Sequence, residues 1–474
     1  MGRFLNLFKP IGSFLPEIKA PERKVGFGEK LFWTGLILVL YLIMSEIPLY
    51  GISIGQRMND PLVYLRVIFA SRRGTLTELG IGPIVTAGLI LQLLSGSGLV
   101  QIDLKKPEDR GLFTTANKFF AILMTLFEAS AYVIGGAYGD LKPNIALIIV
   151  LQLLIAGIIL ILLDELVQKG WGFGSGISLF IAAGVAQSIW WSCFNPVPME
   201  KGYMGALLGF VQSLINQQFR TEGWWAVLHR PDMPDMLGFF ATIGVFLIVV
   251  YLEGMRVEVP VAYAGYRGFR GKFPLKLLYV SNIPVILAST LFTDIYFISQ
   301  ILWNKYNQDN SNFWLNMLGM FKIEERSTEP IGGLAYYITP PRSLDAVMET
   351  PLRAIGYALI FIIICVLFSM TWIQVGGLDS KTVAKQLVDA GMQIPGFRRS
   401  EAPIQSIFDR YIPSVTIMGG LAVGAIAATA DFFGVFGSGM GVLLTVGILY
   451  QYYQQLMRER IAEMYPRVRK FLGE

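Results

Sequence analysis

Residues 145–163 read IALIIVLQLLIAGIILILL, a run of nineteen residues without a charged side chain. A helix needs about 20 residues to cross a hydrocarbon core about 30 Å thick, so this run has the length of a transmembrane helix. Apolar runs of spanning or near-spanning length begin at ten places: Leu31, Ile81, Leu112, Ile145, Ile177, Leu237, Leu277, Ala354, Ile412 and Gly441. The sequence therefore predicts an all-α polytopic membrane protein with ten transmembrane helices.

The composition of the chain agrees with a lipid environment. Of its 474 residues, 54% are hydrophobic and only 15% are charged, a balance that would leave a soluble domain without a polar exterior. The formal net charge of +5 arises from Lys and Arg between the apolar runs, where membrane topology requires them. Cys193, Cys365 and the single histidine, His229, are too few for a disulfide framework or a Cys/His metal cluster, so no cofactor is expected.

Two of the ten apolar runs are short. Residues 81–94 follow Gly80-Ile81-Gly82-Pro83, and residues 441–453 follow a segment that contains Gly434, Gly437 and Gly439. Irregular backbone is not tolerated against lipid. Both segments are therefore expected to face protein or a water-filled cavity at one end.

Positive charge is divided unequally between the two sides of the predicted bundle. The N-terminal arm, the loops after even-numbered crossings and the C-terminal tail hold 26 of the 39 Lys and Arg, and the opposite side holds 13. The positive-inside bias therefore predicts that both termini are cytosolic. Residues 1–30 contain Pro10, Pro16 and Pro21 and lack a small-residue cleavage pattern, so they are expected to form a cytosolic arm rather than a signal peptide.

The predicted crossings divide into five and five. An N-terminal half spans residues 31–194, an external connection residues 195–236, a C-terminal half residues 237–455 and a cytosolic tail residues 456–474. Because each half has an odd number of crossings, the second enters the membrane upside down relative to the first. Such inverted repeats place a path between the halves, near the midplane. No letter-by-letter repeat is evident, so this expectation depends on the count of crossings.

Motifs for nucleotide-driven or hydrolytic chemistry are not supported. Gly271-Lys272 precedes Phe273, where a phosphate loop needs Ser or Thr. The alternate glycines of residues 170–176 lead into a membrane span without a βαβ unit, which favours close helix packing or a bent helix entrance over dinucleotide binding. An intramembrane hydrolase would need a Ser/His pairing or a set of metal ligands, and neither is evident. The protein is not expected to be an enzyme.

An amphipathic segment about three turns long separates the first two crossings. It runs from Asp60, a candidate N-cap before Pro61, to about Ala70 and is too short to span the membrane. An external surface helix and a re-entrant lid over a pore both fit this pattern.

Two carboxylates lie well inside predicted spans, Glu128 in the third and Asp294 in the seventh. Counted from starts near Leu112 and Leu275, each lies about 24 to 28 Å along its helix, and Thr86 has a similar depth. Such groups are costly against lipid, so a polar cluster or an aqueous cavity is expected. A structural contact between spans is one interpretation. Ion coupling is another, and it would suit an ion-coupled secondary transporter.

Two loops on the predicted cytosolic side are unusually basic. The loop of residues 253–276 contains Arg256, Arg267, Arg270, Lys272 and Lys276. That of residues 374–411 contains a helical pattern over residues 380–390 and the basic side chains Lys381, Lys385, Arg398, Arg399 and Arg410. Topogenic charge explains part of this content. A large polyanionic partner, bound through its phosphates, is the other interpretation.

Ordered motifs along residues 15–455 resemble the SecY family, the channel-forming subunits of the Sec protein translocon, in its archaeal and eukaryotic branch. The motifs are RGTL at 73–76, GIGPIVT at 80–86, DEL at 164–166, GSGISLFI at 174–181, YRG at 266–268, SNIP at 281–284, YIP at 411–413 and GSG at 437–439. The resemblance implies a clamshell of two inverted five-helix halves that conducts secretory polypeptides and releases membrane segments sideways into the bilayer.

The same resemblance implies roles for individual residues. The aliphatic pore ring falls on Ile81, Val85, Ile177, Ile181, Ile286 and Leu444. The plug corresponds to residues 60–70, with Asp60, Pro61, Leu62, Leu65, Val67, Ile68 and Phe69. The lateral gate, which admits signal sequences, has its polar cluster at Thr86, Glu128 and Asp294. Family members often have an amide at one or both acidic positions, so the charge state of this gate stays open.

Partners and location also follow from the resemblance. Arg267 and Arg398 match positions that the family uses at the ribosome and the targeting receptor, whereas Ala262 and Gly265 depart from the basic pattern. The contact with rRNA phosphates and ribosomal proteins is therefore expected to involve Arg270 and Lys272 as well, together with Lys381, Lys385 and Arg399. SecE, a small β subunit, signal sequences, nascent polypeptides and membrane lipid are the other expected partners. The pattern favours the plasma membrane of an archaeal-type cell over the endoplasmic reticulum.

Overall fold

Ten long helices dominate the structure, a computed structural model that describes residues 9–12, 15–52, 70–96, 107–134, 138, 141–199, 202–221, 223–230, 233–263, 270–280, 283–324, 327–341, 343–393 and 400–464. The helices are α1 (Phe27–Glu46), α2 (Gly82–Gly96), α3 (Pro107–Ile134), α4 (Pro143–Leu166), α5 (Gly176–Phe194), α6 (Met236–Gly254), α7 (Ile283–Tyr306), α8 (Pro351–Val375), α9 (Glu401–Phe432) and α10 (Gly439–Met464). Each predicted crossing thus corresponds to a helix.

Eight of these helices are long and apolar enough to cross a membrane, counted over the described residues. The other two are α2 and α10, which contain the two runs that the sequence marks as short. Helix α2 has only 15 residues, and the last two turns of α10 are rich in Arg and Glu.

The lipid-facing side of the bundle is visible in α4. Its outward side chains follow an i, i+4 spacing and are all exposed: Leu147, Leu151, Ile155 and Ile159. Its inward side chains are all buried: Ile149, Leu153, Ala156 and Leu160. Large apolar side chains on the outer face of a helix are the expected surface of a protein whose solvent is lipid.

Three helix starts differ from the sequence prediction by five residues or more. Helix α3 begins at Pro107 rather than near Leu112, so Glu128 follows its helix start by about 32 Å rather than 24 to 28 Å. Helix α7 begins at Ile283 rather than near Leu277, because residues 277–280 form a turn. Asp294 therefore follows the helix start by about 16 Å rather than 24 to 28 Å, which corrects its predicted depth. Helix α9 begins at Glu401, about three turns before the apolar run at Ile412, because its first turns bury Ile404 and Phe408 against the neighbouring loops.

The two halves of the chain meet along two seams. At one seam α2 contacts α7 and α8, and at the other α10 contacts α1 and α5. A single large apolar cluster extends across both seams and includes side chains from the helices of each half. An odd number of helices, five, separates the connection α4–α5 from the connection α9–α10. The two connections therefore lie at opposite ends of the bundle.

The two basic loops form one folded body on the side that the charge bias predicts to be cytosolic, called the cytosolic side hereafter. Strand Arg256–Tyr263 pairs antiparallel with Arg270–Lys276 and with Met392–Gln393, so the sheet joins both loops. Helix Ser380–Asp389 lies where the helical pattern predicts it. A separate apolar core, which includes Val259, Leu275, Val383, Leu387 and Phe408, holds this body together.

The opposite side, called the external side, has two small folded segments. The connection after α5 contains strands Pro198–Met199 and Gly202–Tyr203 and helices Ala206–Ile215, Gln218–Thr221 and Gly223–Leu228. The connection after α7 contains strands Met320–Glu324 and Ser327–Gly332 and helices Phe313–Leu318, Gly333–Ile338 and Leu344–Glu349. His229 joins these segments, since its Nδ1 lies 2.7 Å from Asp235 and its Nε2 lies 2.9 Å from Asp345.

The described part of the N-terminal arm, which includes a helical turn at Lys9–Gly12, is attached to the cytosolic ends of α3 and α4. Lys118 on α3 donates to the Glu165 carboxylate at 2.9 Å and to the Pro16 carbonyl at 2.9 Å, and both charged side chains are 9% exposed. The π-helical turn Val167–Trp171 follows α4 and adds a contact between Lys169 and Glu17 at 2.7 Å. The arm thus packs on the first half of the bundle.

Candidate pore and lateral gate

The six residues of the predicted pore ring lie in the apolar cluster shared by the two halves. Ile81, Ile181 and Leu444 are at most 1% exposed, and Val85, Ile177 and Ile286 are partly buried against them. Four helices contribute them: α2, α5, α7 and α10. The structure therefore brings the six together, although four lie in the first half and two in the second.

The register of these residues repeats between the halves. Val85 and Ile286 each occupy the fourth position of a helix, in α2 and α7, and each follows a proline at the second position. Ile181 and Leu444 each occupy the sixth position, in α5 and α10. An inverted repeat predicts such pairs, because α2 corresponds to α7 and α5 corresponds to α10. Four of the six ring residues are thus two pairs of structural equivalents.

The starts of α5 and α10 share a Gly-Ser-Gly turn. The first glycines, Gly174 and Gly437, have φ of +70° and +75°, a left-handed conformation that glycine adopts without a steric penalty. At the second glycine of the first turn, Gly176, a Cβ would lie 2.6 Å from the Asp164 Cα. The carboxylate of Asp164 accepts the Ile177 N–H at 3.0 Å, so the end of α4 fixes the start of α5 and its ring residues.

The residues of the predicted lateral gate lie on three helices at the first seam. Thr86 is buried on α2, and Glu128 on α3 and Asp294 on α7 are close enough to interact electrostatically. One contact at this seam was missed from the sequence. The rings of Tyr132 and Phe297 stack at a centroid distance of 4.6 Å, directly joining α3 to α7. No sequence signal pairs these two rings, because 165 positions separate them.

The predicted plug residues Asp60, Pro61, Leu62, Leu65, Val67, Ile68 and Phe69 lie outside the described residues. Its last residue, Ala70, is described and 2% exposed, with a left-handed φ of +51°. The Ala70 carbonyl accepts the Tyr41 hydroxyl at 2.9 Å, and the backbone of Gly184 on α5 approaches Ala70 closely. Ala70, the last residue of the predicted plug, therefore lies inside the bundle between α1 and α5.

Comparison with protein families identifies this arrangement. A family model described as SecY matches residues 75–453, and a second one, described as the plug domain of Sec61p, matches residues 39–74. The chain belongs to the SecY family.

Individual SecY relatives match nearly the whole chain. The protein translocase subunit SecY of Pyrococcus furiosus is 44% identical over 481 residues, which cover 99% of each chain. Sec61 subunit alpha of Dictyostelium discoideum is 41% identical over 467 residues, or 97% of each chain. Among solved structures, one described as a protein conducting channel has a TM-score of 0.80 at 42% identity, with 97% of this chain and 98% of that chain covered. Sec61 in a canine ribosome-channel complex has a TM-score of 0.78 at 42% identity, with the same coverage. The prediction of a ten-helix SecY fold is confirmed.

The basic residues predicted on the cytosolic side of this SecY-family chain are described only in part. Lys381 and Lys385 are exposed on helix Ser380–Asp389, on the face opposite its buried side chains. Lys272 is exposed and forms an ion pair with Glu258 on the neighbouring strand, and this hydrogen bond lowers the pKa of Glu258. Arg270 is described for its backbone alone. Arg267, Arg398 and Arg399 lie outside the described residues.

Proposed function

We propose that this chain is the central pore-forming subunit of a protein-conducting channel. It translocates secretory polypeptides across the bilayer and releases membrane segments sideways into lipid. One observation carries the proposal. Val85, Ile181, Ile286 and Leu444 occupy equivalent helix positions in two inverted halves and lie in one apolar cluster. Relatives that match the whole chain are named as translocase and channel subunits.

An aliphatic ring suits a passage for polypeptides. Apolar side chains exclude water and ions from an empty constriction, and they offer a moving chain no polar group that would bind it. The six ring residues Ile81, Val85, Ile177, Ile181, Ile286 and Leu444 have this property throughout. Catalytic chemistry is not part of the proposal, and the energy for transport is assigned to a partner.

The first seam is the proposed lateral gate. A signal sequence enters between α2 and α3 on one side and α7 and α8 on the other, and separation of these helices breaks the contact between Tyr132 and Phe297. Apolar segments gain free energy by leaving through this opening into lipid, whereas polar segments continue across. Glu128, Asp294 and Thr86 supply the polar contacts that set how readily the gate opens. The plug, residues 60–70, closes the passage in the resting channel.

A groove at the second seam supports the proposal of single-span partner subunits, SecE and a small β subunit. It has a volume of about 290 Å³ and lies between α5, α6 and α10, with Trp190, Phe246, Val446 and Leu449 among its lining residues. The buried Thr445 hydroxyl on this groove has no hydrogen-bond partner among the described atoms. An apolar helix with one polar side chain fits such a groove. We assign the groove to SecE.

The cytosolic body is the proposed docking surface for the ribosome and the targeting receptor. Lys381 and Lys385 project from helix Ser380–Asp389. Lys272 is exposed on strand Arg270–Lys276 of the same cytosolic body. Exposed Lys and Arg bind rRNA phosphates without reading sequence. A related Sec61 has been solved in a ribosome-channel complex. The remaining proposed contacts are Arg267, Arg270, Arg398 and Arg399.

We further propose cytosolic termini and the plasma membrane of an archaeal-type cell as the location. The helix bounds support the proposed division into halves at residues 31–194 and 237–455. Helices α1 to α5 and α6 to α10 lie within these ranges apart from the first turn of α1, the first residue of α6 and the last turns of α10. Among the relatives compared, the archaeal SecY is 44% identical and the Dictyostelium Sec61 alpha 41%.

Site-specific photo-crosslinking tests the proposed function. A photoreactive residue at Ile177 or at Ile286 is expected to capture a secretory chain stalled during translocation. The matched control is the same residue at Leu359, which is 56% exposed on the outer face of α8 and is expected to capture lipid instead. Failure to capture the stalled chain at either inner position would reject the channel function.

A further inference from the structure

The pore ring is asymmetric between the two halves, and the asymmetry points to a residue outside the ring. In the first half, α2 and α5 each contribute a pair four positions apart: Ile81 with Val85, and Ile177 with Ile181. In the second half, α7 and α10 each contribute one residue, Ile286 and Leu444. Residues at i and i+4 lie on the same face of a helix. The equivalents of Ile81 and Ile177 in the second half are therefore defined by register.

Helix α10 has an apolar residue at the equivalent position. Met440 follows the Gly-Ser-Gly turn of residues 437–439 directly, as Ile177 follows the turn of residues 174–176. It precedes Leu444 by four positions and is 1% exposed within the same apolar cluster. Burial alone does not single it out, because Val442, Leu443 and Val446 are also buried. Two buried residues lie four positions from Leu444 on the same helix face, Met440 and Ile448, and Met440 is the one at the register of Ile177.

Helix α7 offers no such residue. The equivalent of Ile81, counted from Pro83 and Pro284, is Asn282, a polar residue that precedes the helix and lies outside the described residues. The repeat therefore adds one apolar candidate to the ring, and it lies on α10.

The depth of Met440 matches that of Ile81. Helices α2 and α10 run in the same direction, because eight crossings separate their starts. Ile81 precedes Val85 by four residues and Met440 precedes Leu444 by four residues, so both lie about 6 Å external to the waist. The Val85 N–H donates to the Ile81 carbonyl at 3.1 Å, so Ile81 belongs to the first turn of α2 despite preceding its first helical residue.

We propose that Met440 and Ile81 form an external tier of the constriction, next to the waist formed by Val85, Ile181, Ile286 and Leu444. A methionine side chain is unbranched and flexible, so it adapts to gaps that branched side chains leave. At this depth it fills the passage on the external side when the channel is empty and yields to a translocating chain. The tier adds a second layer to the seal against water and ions that the waist forms.

The inference rests on the proposed function, and ion conductance of the empty channel separates the two. The ion conductance of the purified complex is measured in planar bilayers for the wild type and for the variants Met440→Ala, Leu444→Ala and Met418→Ala. Met418 is the matched control, since it is 59% exposed on the lipid-facing side of α9. Met440→Ala is expected to raise the mean conductance roughly threefold or more, as Leu444→Ala does, while Met418→Ala leaves it unchanged.

The outcomes are distinguishable. A leak in Leu444→Ala without one in Met440→Ala overturns the external tier and leaves the ring intact. Unchanged conductance in both variants overturns the ring and the inference together. A second measurement is independent of the channel current: Ile81→Cys with Met440→Cys, in a chain with Cys193 and Cys365 replaced by Ala, is expected to form an intramolecular disulfide under mild oxidation. Pairing of Ile81→Cys with Leu444→Cys but not with Met440→Cys would contradict the shared depth.

Discussion

The carboxylate of Asp431, near the end of α9, accepts the backbone N–H of Gly439, the first residue of α10, at 2.7 Å. Asp164 near the end of α4 makes the equivalent bond to the second residue of α5, Ile177, at 3.0 Å. Each acid also accepts a side-chain donor, Tyr357 in one case and Gln168 in the other. In each half, a carboxylate near the end of one helix therefore fixes the start of the next. The two starts, of α5 and α10, lie at opposite ends of the bundle, and both helices contribute residues to the predicted pore ring.

Removal of either acid is expected to destabilise the fold. Asp431→Ala leaves the buried Gly439 N–H without its acceptor, which costs about 1–3 kcal/mol of unfolding free energy. Asp164→Ala is expected to have an effect of the same size, and Asp309→Ala, an exposed control on the external side, is expected to have almost none. Unfolding of the purified chain in detergent micelles measures the difference. Equal stability of Asp431→Ala and Asp309→Ala would contradict the capping role.

The stacked pair at the first seam is expected to hold the gate closed. Such aromatic pairs contribute about 0.5–1.5 kcal/mol beyond their buried area, so Tyr132→Leu or Phe297→Leu should favour gate opening roughly 2–10-fold. The measurement is the hydrophobicity that a signal sequence needs for translocation, which should fall in each variant. The double variant should add little to either single one.

Phe127→Leu is the control for that experiment. Phe127 lies on the same helix as Tyr132 but is 63% exposed toward lipid. A lowered threshold in Phe127→Leu, or fully additive effects of Tyr132→Leu and Phe297→Leu, would show that the two rings do not act through their contact.

The external contact of His229 should make stability depend on pH. Burial acts to lower the pKa of His229, but hydrogen bonds to Asp345 and Asp235 outweigh it, so the pKa lies above its usual value. Arg230 is a charged neighbour among the described residues, and its guanidinium donates to backbone carbonyls, including that of Tyr203 at 2.9 Å. Because the folded state favours protonated His229, the stabilisation is complete below the unfolded pKa of about 6.5 and is lost as pH rises through the folded pKa.

Thermal unfolding between about pH 5 and pH 9 tests this expectation. The wild type should lose stability as the pH rises across that range, and His229→Gln, which cannot titrate, should show a flatter dependence. An identical pH dependence in both chains would assign the effect to other groups.

Breaking the buried ion pair beneath the N-terminal arm should be costly. Lys118→Met leaves the buried Glu165 with Lys169, whose Nζ lies 3.8 Å away, as its remaining ion-pair partner among the described residues. The change is expected to lower stability by up to about 3–5 kcal/mol, whereas Lys118→Met with Glu165→Leu should recover much of the loss. Arg23→Met is the matched control. It removes the ion pair with Glu29 in the same arm, where the Arg23 side chain is 73% exposed, and should change stability by at most about 1 kcal/mol. Similar losses in Lys118→Met and Arg23→Met would contradict this account.

The sequence predicts the membrane helices better than their boundaries. Apolar runs locate all ten, because about 20 apolar residues in succession are rare outside membrane-spanning helices. They do not locate the start of α9, where Ile404 and Phe408 are buried in a cytosolic core that only the folded loops create. The predicted start of α7 was wrong for a similar reason, since residues 277–280 are largely apolar but form a turn.

The site was predicted from family resemblance more than from pattern. Ile81, Val85, Ile177 and Ile181 have the i, i+4 spacing of any buried helix face, so the spacing alone does not identify a pore. The inverted repeat is also present in the sequence, as Gly-Ser-Gly at residues 174–176 and 437–439, but three residues are too few to be recognised without the helix starts. His229 and Asp345 are 116 positions apart in the sequence. Periodic patterns relate residues within one helix or strand, so they do not predict this contact.

The central claim is that two inverted halves bring equivalent residues to one depth around a single polypeptide path. A stalled secretory chain with one cysteine at successive positions can be tested for disulfide formation with Ile181→Cys and, separately, with Leu444→Cys. Both tests use a chain with Cys193 and Cys365 replaced by Ala. The same position of the stalled chain should give the maximum yield with both variants. Maxima displaced by more than about a helical turn, or disulfides with only one of the two, would contradict the claim.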